Sequence, residues 1–117
     1  AHALSDYSCQ IHYYNRTIIK AKKLARRYGG KTLESLSTSM KFDIIISTLP
    51  PSAYADSILL EKLAPFIHAK SVVMDVNYRP KITPLLQLAQ NNNAHLIFGE
   101  TLFEQQALLQ QQFWQLK

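Results

Sequence analysis

Asn15-Arg16-Thr17, with Lys20 one helical turn further on, is where residue type and spacing point most directly to chemistry. A guanidinium presents a planar fork of donors to a phosphate, and a nearby ammonium adds a second positive charge. If a strand ends at Asn15 and Thr17 caps the helix that follows, the helix N-terminus supplies further N–H donors. In an α/β nucleotide-binding sheet, the residue ending the second strand meets the adenosine ribose. An acid there repels a 2′-phosphate, whereas an Arg accommodates it. Asn15 then hydrogen-bonds the ribose region, and Arg16, Thr17 and Lys20 form a phosphate clamp. No acid occurs between Asp6 and Glu34, yet Arg16, Lys20, Lys22, Lys23, Arg26, Arg27 and Lys31 all fall there. The other reading of this window is a solvated helix face, with Arg16 an ordinary surface residue.

Further candidates lie at the ends of apolar runs. Ser47 and Thr48 follow Ile44–Ile46, where a backbone could run beneath a pyrophosphate or a nicotinamide ribose; a plain strand-to-helix turn is the alternative. Tyr78 sits just past the run Val72–Val76 and before Pro80, so its hydroxyl either faces a crevice or is a satisfied core hydroxyl. Asp75, flanked by apolar residues, reads as a buried structural acid. Gln106 falls inside the stripe Leu102, Leu109, Phe113 and Leu116, where an amide must find partners at a cost of roughly 1–3 kcal/mol if it does not. Facing a hydroxylated substrate resolves that cost, as does contact with water at the stripe's edge. No G-x-G-x-x-G turn, nucleophilic triad or Walker-type sequence is present, and the histidines and Cys9 lack metal-ligand spacing, so neither a catalytic residue nor a metal is assigned.

These residues must be positioned by a soluble globular chain. Its 117 residues are 47% hydrophobic and 18% charged, enough for one core, and its net charge of +5 suits an anionic ligand without specifying one. A lone cysteine and the lack of any span-length apolar run fit a reducing cytoplasm. The run CQIHYYN reads as a strand, and Thr17 as the cap of a helix with Ala21, Leu24, Ala25 and Tyr28 on one face, closed by Gly29-Gly30. FDIIISTLPP and SVVMDVNY read as strands buried on both faces, separated by a helix over about 52–66 that Pro65 interrupts. Thr83 caps a further helix with Pro84 at its first position and Leu85, Leu88 and Ala89 inward, stopping at the asparagine run. AHLIF is a short last strand, and a final helix runs from Thr101. Strands alternating with helices imply a doubly wound parallel sheet with helices on both faces. The opening AHALSDY reads as the last turns of a helix whose start is missing.

In order along the chain, NRT at 15–17 with KAKKLA at 20–25, DIIISTLP at 43–50, VVMDVNYRPKITPLLQLA at 72–89 and GETLFEQQALLQQQFW at 99–114 resemble blocks of the cofactor domain of the shikimate dehydrogenase family. The wording YRPKIT and GETLFEQQA is most similar to the dehydrogenase half of the bifunctional 3-dehydroquinate dehydratase/shikimate dehydrogenases. The resemblance implies that residues 1–117 are a Rossmann-like NADP-binding domain lacking its first strand and Gly-rich turn, with exposed sheet edges as a consequence. It implies that Asn15, Arg16, Thr17 and Lys20 bind the 2′-phosphate end of NADP, and that Ser47, Thr48, Val76 and Gly99 line the ribose and nicotinamide. Tyr78 and Gln106 would contact shikimate, while the family's catalytic Lys and Asp would lie in an upstream substrate domain. The implied activity is NADP-dependent reversible reduction of 3-dehydroshikimate to shikimate, in aromatic amino-acid and chorismate biosynthesis. Ser47-Thr48, Val76 and Leu102 stand where many members carry Asn-Ala, Met and Met. A basic α/β module for RNA or another polyanion, and a non-catalytic relative of the family, are the competing readings of the same residues.

Overall fold

A computed structural model describes residues 4, 6–36, 40–55 and 57–115. Leu116 and most of the expected helical end in AHALSDY lie outside the described residues. The chain divides into two compact units, Ala1–Thr38 and Ser39–Lys117.

In the first unit, strand β1 (His12–Tyr13) leads into helix α1 (Ile18–Tyr28) and returns to strand β2 (Lys31–Thr32), with β1 and β2 paired in parallel. Joining parallel neighbours requires such a crossover helix. The ladder continues beyond the strands, because Lys31 N–H donates to the Ile11 carbonyl and Leu33 N–H to the Tyr13 carbonyl. Of the expected CQIHYYN strand, His12 and Tyr13 form the strand and Ile11 adds one ladder bond, while β2 is absent from the sequence expectation because two residues carry no alternating pattern. Ala21 is buried on α1 and Ala25 and Tyr28 are half-buried, but Leu24 is 40% exposed. Gly29 and Gly30 end the helix at φ of 78° and 107°, conformations that a side chain disfavours. At Gly30 a Cβ would also lie 3.0 Å from the Tyr13 ring.

The second unit is a parallel sheet in the order β3-β4-β5, formed by Ile44–Ser47, Val72–Asp75 and His95–Ile97. Between β3 and β4 the chain forms a 3₁₀ turn (Pro51–Tyr54), helix α2 (Ser57–Leu63) and a second 3₁₀ turn (Ala64–Phe66). Pro65 lies in that last turn, where its missing N–H does not interrupt an α ladder. Helix α3 (Pro84–Asn91) links β4 to β5, and helix α4 (Gly99–Gln115) follows. As expected, Thr83 caps α3: its Oγ1 accepts from Leu86 N–H at 3.3 Å, with Pro84 at the first helical position. At the other end Asn92 Nδ2 donates to the Leu88 carbonyl at 2.8 Å, and Asn93 turns the chain at φ 59°.

The sheet register places Ile45, Val73 and Leu96 in one row. This face packs with Tyr54, Ile67, Leu85, Leu86 and Ala89, and with the half-buried Leu59, Leu60 and Leu63. The opposite face differs from the sequence expectation of strands covered on both sides. Ile44 is 54% exposed, Ile46 40% and Ile97 38%, with Val72 and Met74 half-buried. Helices α2 and α3 cover one face, and most of α4 stands clear of the core, with Gly99 its one buried residue. Among the described residues no helix is long and apolar enough to cross a membrane.

Two polar bonds are set into this core. The hydroxyls of Ser47 and Tyr54, both buried, share a short hydrogen bond. Burial, reinforced by the charge of Asp75 and opposed by the Ser47 bond, pushes the Tyr54 phenol up from 10.0 to about 12. Asp75 has no exposed surface and accepts from Thr83 Oγ1 at 2.7 Å. Replacing Thr83 by Ala removes both the helix cap and a donor to a buried carboxylate. We expect Thr83→Ala to lower unfolding free energy by roughly 2–4 kcal/mol in urea titration, with Thr83→Ser close to wild type. For Tyr54 the folded pKa lies above the unfolded one, so the folded state binds more protons between them. Stability is therefore unaffected well below pH 10 and falls as pH rises from 10.0 towards about 12, a fall that Tyr54→Phe abolishes in urea midpoints measured against pH.

Candidate functional site

Within the first unit, the turn after β1 brings Asn15, Arg16, Thr17 and Lys20 to one end of α1. Asn15 Oδ1 accepts from Thr17 N–H at 2.8 Å, a local turn that commits the amide oxygen and leaves both Nδ2 hydrogens for a ligand. Thr17 is the N-cap residue, yet its side chain makes no capping bond and the first helical turn holds no acid. The opening N–H groups of an 11-residue helix therefore lack a side-chain acceptor, and the helix dipole adds partial positive charge to that end. Arg16 and Lys20 are both exposed there. This end of α1 thus combines positive charge with helix N–H groups that no side chain caps. Lys22, Lys23, Arg26 and Arg27 are also exposed, and Arg27 lies 5.2 Å over the Tyr28 ring.

In the second unit, the carboxyl ends of β3, β4 and β5 open into loops that meet. Ser47 ends β3 with its side chain turned into the core: its Oγ bonds Tyr54 and accepts from Leu49 N–H at 3.3 Å. Its carbonyl accepts from Val76 N–H at 3.1 Å, so Ser47 has no polar side-chain group facing solvent. Thr48, the next residue, is exposed and carries the hydroxyl that this loop can offer a ligand. Val76 is half-buried just past β4. Gly99 is buried against the same segment: a Cβ there would collide with the carbonyl oxygens of Val76 and Asn77 and lie 2.7 Å from the Asn77 carbonyl carbon. Only a glycine lets the start of α4 approach β4 this closely.

Tyr78 is 47% exposed, which sets aside the reading of a core tyrosine. Its ring stacks on Phe103 of α4, centroids 5.7 Å apart and planes inclined at 29°, and the Arg79 guanidinium lies 5.8 Å from its centroid. Gln106 stands one turn beyond Phe103 on α4, a spacing that makes the two neighbours on the helix surface. It is exposed, as are Leu109 at 64% and Phe113 at 60%, so the stripe expected to bury the amide meets solvent here, and among its described residues Leu102 alone is half-buried. Phe103 and Asn77 escaped the sequence reading. Phe103 lies off the stripe, and Asn77 carried no signal beyond its place beside Tyr78. Among the described residues no group of three or more His, Cys, Asp or Glu could hold a metal ion.

No protein-family model matches the chain. Individual proteins do. It is 35% identical over 112 residues to "Shikimate biosynthesis protein AroDE" of Chlamydia muridarum, covering 95% of this chain and 21% of that protein. It is 33% identical over 114 residues to a shikimate dehydrogenase of Sulfurisphaera tokodaii, covering 96% and 40% respectively. Among solved structures, the shikimate 5-dehydrogenase of Thermus thermophilus in complex with NADP(H) and shikimate superposes with a TM-score of 0.74 at 20% identity, over 96% of this chain and 42% of that one. The Aquifex aeolicus shikimate dehydrogenase gives 0.64 at 28% identity over 77% of this chain. The chain thus spans between about a fifth and about two fifths of the length of these relatives. Along nearly its whole length the chain is similar in sequence to one part of the shikimate dehydrogenases, and it shares their parallel α/β architecture.

Proposed function

We propose that residues 1–117 are the NADP-binding domain of an NADP-dependent shikimate dehydrogenase, an oxidoreductase that reversibly reduces 3-dehydroshikimate to shikimate. The observation that carries this reading is the open, acid-free N-terminus of α1 beside Arg16 and Lys20, a fit for a phosphate on an adenosine ribose. Its Asn15 amide, held by Thr17 N–H, supplies donors towards the ribose. NADPH, when bound, supplies the hydride. The chain's own residues bind and orient: Thr48 and the backbone of Ser47, Val76 and Gly99 line the ribose and nicotinamide. Tyr78 and Gln106 hold the substrate's hydroxyl groups from the cofactor side. The proton that accompanies the hydride moves at the substrate oxygen, a task left to Lys and Asp of a substrate domain in the same longer protein. Such a protein is soluble and cytoplasmic, and the 117-residue chain alone has no turnover.

The exposed Lys22, Lys23, Arg26 and Arg27 support a second reading, a polyanion-binding face. A single series of measurements separates the two. In the longer protein, Arg16→Ala and Lys20→Ala should each raise KM for NADPH on the order of tenfold or more and erode the preference for NADPH over NADH, since each removes a charge-assisted bond. An unchanged preference overturns the 2′-phosphate assignment. RNA binding that survives saturating NADP favours the polyanion reading, whereas competition by NADP returns the site to the cofactor.

A further inference from the structure

The loops after β3, β4 and β5 converge on one peptide, Val76–Asn77, and one side chain fastens them. Asn77 Nδ2 donates to the Leu49 carbonyl at 2.7 Å, in the loop after β3, and to Asp75 Oδ1 at 2.8 Å. Asn77 N–H donates to the same carboxylate oxygen at 3.0 Å. With acceptors on both sides of its nitrogen, the amide has one workable orientation, because a flipped amide would set oxygen against oxygen. The other carboxylate oxygen accepts from Thr83, the cap of α3. Gly99 presses on the carbonyls of the same peptide, and Phe103, on the helix that Gly99 begins, stacks on Tyr78. A continuous chain of contacts therefore runs from the loop of Ser47 and Thr48, through Asn77, to Tyr78 and to the helix of Gln106.

We propose that Asn77 is a positioning residue: its amide ties the cofactor-side loop after β3 to the substrate-side Tyr78 and α4, and so sets the approach of nicotinamide to substrate. The proposal rests on the function assigned above. Asn77 acts through Leu49, which its amide holds, and through Tyr78, its neighbour in the chain. Loss of the tie to Leu49 lets the two loops shift relative to each other. A misplacement of about 1 Å at the reacting atoms costs up to roughly 10²-fold in rate.

The test uses the longer protein with Asn77→Ala and, at equal volume but without the donor, Asn77→Asp. Steady-state kcat and KM are measured for NADPH and 3-dehydroshikimate, with NADPH deuterated at the transferred hydrogen as a second cosubstrate. NADPH titration by fluorescence counts folded sites, so that rates are stated per binding site. The expected result for either variant is a kcat per site lower by about 10- to 100-fold, KM values within about threefold of wild type, and a larger isotope effect on kcat as hydride transfer becomes limiting. A kcat per site within about twofold of wild type in both variants, or a loss confined to KM, overturns the positioning role. Wild-type protein that fails to reduce 3-dehydroshikimate with NADPH overturns the function itself and this proposal with it. An active wild type with unimpaired variants removes only the proposal.

Discussion

A carboxylate with no exposed surface is costly unless its oxygens find donors, and both oxygens of Asp75 do so at the carboxyl end of β4. Its donors come from three directions: the Thr83 hydroxyl at the start of α3, the Asn77 backbone and the Asn77 amide. Each of these groups is thereby held where it also serves another element. Thr83 caps α3, while Asn77 holds the Leu49 carbonyl. The buried acid is thus the point from which the geometry of the carboxyl-end loops follows. It is also the group whose charge helps to hold the Tyr54 phenol in its neutral form.

The candidate residues of the two units differ in kind. In the first, little is packed and the site is electrostatic: an uncapped helix start, a committed Asn15 oxygen and two exposed cations. Such an arrangement is defined by charge more than by close packing. In the second, the site depends on close backbone approach at Gly99 and on ring stacking between Tyr78 and Phe103. These demand geometry, and the hydrogen bonds around Asp75 and Asn77 provide it.

The pattern of exposure accords with a part of a larger family architecture. Ile44, Ile46 and Ile97 share one uncovered sheet face, and α4 exposes Leu108, Leu109 and Trp114 along its length. The apolar runs on these strands raised the expectation of burial on both faces, and only the face of Ile45, Val73 and Leu96 meets it.

Much was legible from the order of residues alone. Periodicity placed α1, β3, β4, α3, β5 and α4; Thr83 with Pro84 announced a cap, and Gly29-Gly30 a helix end, because these signals are local and depend on backbone conformation that few residues favour. The isolation of Asp75 among apolar neighbours marked it as a structural acid. The gathering of Asn15, Arg16, Thr17 and Lys20 at one end of α1 was legible too, since adjacent residues and one helical turn build it. What the tertiary structure alone decided are the contacts between elements far apart in the chain. The two-residue strand β2 exists only through pairing with β1, and the inward turn of Ser47 follows from Tyr54. The stacking of Phe103 on Tyr78 and the reach of Asn77 to Leu49 depend on how β3, β4 and α4 pack. Such contacts depend on distances between separate segments, and no spacing along the chain encodes them.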